Sequence, residues 1–229
     1  MAPPADRFTR ALLACGAAAP LFVPVLLAEG AYRPDYEPLH RFGSELALGE
    51  RGWTQTANFI ATGLLLLAFS VGVRRAAPTG RSSLALPALT ALAGTCLVVA
   101  GVFPTDPVGV GAAGATTPAG AVHAANVLPF HVALTAAPLA MAWRLAAEPG
   151  RRAWVAYCCV TGALVPPLFA AFMASAEHGF HGLGQRVVLT VGLTWFAAAA
   201  WLLLRSTARK GPTPGAGDGK GVDGGRAAC

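Results

Sequence analysis

The sequence predicts an all-α, polytopic membrane fold: a six-helix transmembrane bundle with short loops and a disordered C-terminal tail. Three observations carry this expectation. Apolar residues make up 55% of the chain and charged residues only 12%, about half the roughly 25% charge of a soluble domain. Apolar stretches long enough to cross a bilayer recur between short polar connections. The basic residues concentrate in alternate connections, as membrane orientation requires.

The six spans are expected at about 11–28, 57–73, 84–103, 118–145, 153–174 and 187–204 within one domain, 1–205. The first follows Arg7 and Arg10 and contains Pro20 and Pro24, tolerable where neighbouring helices cover the freed carbonyls. Residues 29–56 are polar and mixed. There Phe42, Leu46, Leu48 and Trp53 suggest a short turn or helix lying along the membrane surface. Arg74 and Arg75 end the second span, and Pro104 ends the third. Thr117-Pro118 is a good helix start, with Thr as N-cap and Pro in the first helical position. The fourth helix would then be roughly 40 Å long against a hydrocarbon layer of ~30 Å, so its first turn should stand above that layer. Pro166-Pro167 predicts a kink in the fifth span. The Gly-rich, polar stretch 206–229 is read as a disordered tail.

Charge settles orientation. Arg7, Arg10, Arg74, Arg75, Arg81, Arg144, Arg151, Arg152, Arg205, Arg209, Lys210, Lys220 and Arg226 fall on one side, leaving Arg33, Arg41, Arg51 and Arg186 of the 17 basic residues on the other. This predicts a multi-pass protein of the cell membrane with both termini cytoplasmic. The net charge of +6 therefore reflects topology rather than a nucleic-acid surface, and no nucleic-acid partner is expected. Four of the five cysteines lie in apolar segments and read as small core residues.

A second asymmetry concerns the chemistry. All five histidines, and the acids Glu29, Asp35, Glu37, Glu45, Glu50, Asp106 and Glu177, belong to the outer side or the outer half of a span. The candidate polar site is Asp106, His123, His131, Glu177, His178, His181, Arg186, Ser44 and Glu45. Asp106 lies between Pro104 and Pro107, and is either a turn residue or a carboxylate paired with His123 across the loop. His123 and His131 are about 80° apart on a helix and can share a broad face. His131 either hydrogen-bonds the Ala125 carbonyl that Pro129 frees or faces a ligand. The glycines around His178 and His181 argue for a loop, with Arg186 as a partner of Glu177 or Asp106 or an interfacial anchor. Ser44 is a helix cap or a polar surface group, for no nucleophile elbow surrounds it. No metal site is expected, because neither His-Glu-x-x-His nor a Cys pair is present. His123, His178 and His181 are the only residues that could start one. No cofactor is expected.

The strings Ser44-Glu-Leu-Ala-Leu-Gly49, Gly52-Trp53-x-Gln55-x-x-Asn58-Phe59, Gly63-Leu64, Gly101-x-Phe103-Pro104-x-Asp106 and Gly120-x-x-His123 resemble a bacterial family of six-span membrane proteins, domain of unknown function 998. The resemblance covers roughly residues 10–205. It implies six helices and a membrane location, and supplies no activity. The histidines after the fifth span are not part of the pattern.

Two function classes are carried forward. In the first, the chain is a non-enzymatic membrane protein whose outward polar pocket binds a lipid headgroup or small molecule. In the second it is a membrane-embedded hydrolase using Asp106 and His123, with or without a metal. A transporter stands third, since no span carries a mid-membrane acid or basic residue. The lipid bilayer is the expected environment in all three.

Overall fold

The computed structural model describes residues 6–107, 117–175 and 179–208. Those residues are helical wherever they are regular, and six helices are long and apolar enough to cross a membrane. The first span is built in three pieces: α1 (Arg7–Cys15), a 3-10 turn (Gly16–Leu21) and α2 (Phe22–Ala31). Pro20, which lacks an N–H, lies in the 3-10 piece, where the α-helical ladder tightens. The others are α3 (Gly52–Ala76), α4 (Ala85–Val102), α5 (Pro118–Leu145), α6 (Arg152–Ser175) and α7 (His181–Ala208).

Most helices outrun the spans that hydropathy assigns, because backbone hydrogen bonding continues into the polar flanks. The largest difference is at α7, which begins at His181. Gly179 keeps a turn there, at φ +78°, but Gly182 and Gly184 belong to the helix. Gly182 is helical and lies so close to the Pro38 and Arg41 carbonyls that a Cβ would strike both. Close approach, not turn-making, is its role. Likewise α7 runs on to Ala208, so 206–208 are helical, while 209–229 lie outside the described residues. α6 is one continuous helix through Pro166-Pro167.

The helices follow one another around a ring: α3 on α4, α4 on α5, α5 on α6, α6 on α7, α7 on the first span, and the first span back on α3. α7 also touches α3 and α5 and is the most enclosed span. The tightest crossing is α3 on α4. A Cβ added to Gly63 would lie 2.6 Å from the Gly94 carbonyl oxygen, and one on Gly94 would lie 2.7 Å from that of Gly63. Leu64, Val71, Val132, Val160, Leu164 and Trp201 point away from the bundle. An apolar exterior of this kind suits lipid, not water.

The two ends of the ring differ. At the basic end Arg75 bonds Asp6 and Thr9, Arg144 donates to the Thr79 and Arg81 carbonyls, and Arg151 reaches Ser206. The opposite end is capped by residues 32–51. Glu29, 6% exposed at the end of α2, holds Arg33 at 3.4 Å and Arg51 at 3.3 Å. Arg33 then donates to the carbonyls of Leu46 and Leu48 at 2.7 and 2.9 Å. Within this cap a second 3-10 turn (Gly43–Ala47) drives Leu46 to full burial, while Trp53 remains 71% exposed.

Candidate functional site

Beneath the cap lies a cavity of about 390 Å³. Its walls are mostly apolar: Phe22 and Leu26 from α2, Phe59 from α3, Leu97 from α4, Phe169 and Phe172 from α6, and Leu189 from α7. Ser44, Thr105, His123, Asn126, His131 and Gln185 interrupt them. Ser44, His123 and His131, expected at a polar site, thus share one wall system. Thr105, Asn126 and Gln185 were not among the expected site residues. A polar amide inside an apolar segment was the signal available for Asn126.

Thr105, His123, Asn126, His131 and Gln185 are each held by a bond to backbone. His123 directs Nδ1 to the Phe103 carbonyl at 2.8 Å. Since a carbonyl only accepts, Nδ1 carries the proton and Nε2 the lone pair. Asn126 donates Nδ2–H to the Cys96 carbonyl at 2.7 Å, tying α5 to α4 and leaving Oδ1 as its acceptor. Gln185 accepts the Gly43 N–H on Oε1 at 2.7 Å, leaving the Nε2 amide as its donor. Deeper, His131 donates Nδ1–H to Val127 at 2.7 Å, not to the Ala125 carbonyl that Pro129 frees. The i−4 carbonyl lies within reach of the ring by helix geometry alone. His131 stacks on Phe169 with ring centroids 4.0 Å apart, and its buried Nε2 has no partner among the described residues.

Asp106 and His123 do not form the direct pair that the spacing suggested. Their described hydrogen bonds go elsewhere. The Asp106 carboxylate accepts from the Thr117 hydroxyl at 2.7 Å and the Thr117 N–H at 3.1 Å, while Thr117 Oγ1 accepts from Gly120 N–H at 3.0 Å. A carboxylate at the start of α5 also complements the helix dipole. Gly120 leaves it room, for a Cβ there would strike the Asp106 carboxyl. The two residues therefore act side by side. Each fastens the turn leaving α4 to the start of α5, one through Phe103 and one through Asp106 itself.

Glu45 belongs to the cap. Oε2 receives both Arg41 nitrogens at 2.8 and 3.0 Å, and Oε1 receives the Phe42 N–H at 3.0 Å. Phe42, not Ser44, is the N-cap of that 3-10 turn. Arg186 is 7% exposed and directs its guanidinium to the Tyr36 hydroxyl and the Arg41 and Gly182 carbonyls. No carboxylate among the described residues pairs with it. Burial pushes the Tyr36 phenol above its ordinary value of 10.0, with Arg186 opposing. His181, 7% exposed, packs against Phe42 with centroids 4.4 Å apart. Glu177 and His178 lie outside the described residues. Among the described residues no group of three His, Cys, Asp or Glu side chains could hold a metal.

The family whose description reads "Protein of unknown function (DUF998)" matches residues 16–202. The chain belongs to this family. No curated protein and no solved structure matches it. The strings that carried the resemblance to DUF998 have definite places in the bundle. Gly52 abuts the Ala47 carbonyl, Gly63 sits in the α3–α4 crossing, and Gly101 lies against Phe59 and Ile60. Asn58 donates to the Phe22 carbonyl at 3.0 Å and to Gln55 at 3.2 Å. Phe103, Asp106, Gly120 and His123 make the α4–α5 fastening. Of the residues in these strings, Ser44, Phe59 and His123 line the cavity.

Proposed function

We propose that this member of DUF998 is a membrane-embedded binding protein whose cavity, beneath the outward-facing cap, receives a lipid headgroup or small amphipathic molecule. The cavity itself carries the reading. It is apolar, of about 390 Å³, within the range of small-molecule sites, and holds a few neutral polar groups fixed by backbone bonds. Binding is favoured over hydrolysis because Asp106 is engaged at the start of α5 and His123 Nδ1 at Phe103, where a hydrolase would bring them together. The protein sits in the cell membrane with both termini cytoplasmic, a reading supported by the basic residues at the opposite end from the cap.

Two measurements test this. Reporter fusions after Arg75 and Arg152 should read cytoplasm, and one at Gly111 the outside; a cytoplasmic signal at Gly111 sinks the orientation. Full-length protein purified in mild detergent should carry a co-purifying amphiphile in native mass spectrometry. Filling the cavity with Ala100→Phe should remove it. Retention of the same molecule by that variant counts against the cavity.

A further inference from the structure

The lining chemistry narrows the ligand, on the reading that the cavity is a binding site. Among the described residues that line it there is no Asp, Glu, Lys or Arg. A phosphate or carboxylate brought there would lose its hydration without a counter-charge. The neutral polar groups also have a definite sense. On the α5 wall, His123 gives its one N–H to a backbone carbonyl, so its Nε2 can only accept, while Asn126 keeps Oδ1 and one amide N–H, and His131 Nε2 is buried out of reach. Facing them, Gln185 has its amide donor left and Ser44 a hydroxyl. A carboxylate, phosphate, ester or ether oxygen can satisfy the second wall but leaves His123 Nε2 without a donor. A hydroxyl can satisfy both, because it donates and accepts.

The cavity also has a side mouth. Above the His131–Phe169 stack, Ala124 and Leu128 of α5 and Met173 of α6 line the cavity and yet face outward. Leu128 is 61% exposed and Met173 53%. Below the stack α5 and α6 close on each other. A Cβ on Gly162 would lie 2.7 Å from Leu139 and 3.0 Å from the Thr135 carbonyl. On a membrane bundle, exposed apolar side chains that also line a cavity face hydrocarbon.

We infer that the ligand is an uncharged lipid alcohol, a hydrocarbon chain ending in hydroxyl, that enters sideways from the bilayer between the capped-end halves of α5 and α6. The hydroxyl lies between His123 Nε2 and Asn126 of α5 and the donors of Ser44 and Gln185, and the chain leaves past Ala124, Leu128 and Met173.

The test uses full-length protein in lipid nanodiscs and three photoreactive probes: a diazirine-bearing hexadecanol, its methyl ether, and the matching hexadecanoic acid. The alcohol should label peptides of α5 and α6 that line the cavity, and unlabelled hexadecanol should compete. The ether and the acid should label at least about tenfold less at equal concentration, the cost of one unsatisfied buried hydrogen bond or an unpaired charge. Equal labelling by ether or acid overturns the alcohol assignment and leaves the binding site standing. If no probe labels the cavity while native mass spectrometry still shows a bound amphiphile, the assignment falls alone; if neither gives a signal, both fall. For the route, Ala124→Trp at the mouth should slow labelling by about fivefold or more. Val160→Trp, on the lipid face away from the mouth, should not. Equal rates overturn lateral entry. Met173→Trp serves if Ala124→Trp does not fold, as judged by helical circular dichroism.

Discussion

The basic-end half of the bundle and the capped-end half solve the same problem, placing polar groups among apolar helices, in opposite ways. In the basic-end half the internal hydroxyls turn back on their own helices. Ser70 bonds Leu67, Thr90 bonds Leu86 and Thr161 bonds Tyr157, each within about one turn. Such bonds satisfy the side chain and link nothing. In the capped-end half, beside local bonds such as His131 to Val127 and Thr190 to Arg186, several bonds cross between elements: Asn58 to Phe22, Asn126 to Cys96, His123 to Phe103, and Gly43 to Gln185. They hold helices in place around a space, and each leaves a polar atom of the side chain for something else. One half is packed and locally satisfied. The other is a frame around a cavity.

Substitutions can break or sharpen this contrast. The largest effect is expected where the halves meet. Gly94→Leu would push α3 and α4 apart at a backbone contact, and should cost about 3 kcal/mol, the upper part of the usual overpacking range. Thermal unfolding in detergent should show it, and a melting temperature equal to the parent's would mean that the crossing is looser than described.

Next comes the cap. Glu45→Ala removes the acceptor of the part-buried Phe42 N–H and of the half-exposed Arg41 guanidinium, and should cost about 1–1.5 kcal/mol. Ser70→Ala, in the other half, should cost well under about 1 kcal/mol, as its lost bond is local. Equal costs would erase the contrast between the halves.

The α4–α5 fastening should rank third. Asp106→Ala is expected to lose about 0.5–2 kcal/mol, as for other removed helix N-terminal caps. His123→Ala acts on the same turn, so the double variant should lose less than the sum of the singles. Strict additivity would mean that the two bonds hold the turn independently.

Ser44→Ala should change stability by no more than about 0.5 kcal/mol while weakening retention of the co-purifying amphiphile. A variant that loses stability but keeps its ligand would assign Ser44 to the frame.

The smallest effect concerns Asp6, the exposed cap of α1. Its carboxyl is held below its ordinary value of 3.8 by the Thr9 hydroxyl and N–H, with Arg75 adding to them. A lowered folded value means that the contribution is complete above 3.8 and is lost as pH falls through the folded value beneath it. Hydrogen exchange at the Thr9 amide should therefore rise, relative to Leu13, only in that acid range. A rise already present near neutrality would point to another cause.

The sequence by itself determined the number of spans, their order and the side on which charge collects. Hydropathy and basic residues act one segment at a time, and a bilayer imposes length and sign without reference to neighbours. It also marked Asp106, His123 and His131 as unusual, because polar residues in apolar surroundings must find partners. Which partners they found was decided by the tertiary structure. The α4–α5 turn offers His123 a carbonyl and Asp106 a helix start within reach, and both are nearer than the pair that sequence separation suggested. The roles of Gly182 and Gly120 were equally hidden: the sequence shows a small residue, and only the packed bundle shows the carbonyls and carboxyl that require it. The cavity was invisible for the same reason. Its walls come from six of the seven α-helices and the cap, and it stops where α5 and α6 close on each other at Gly162.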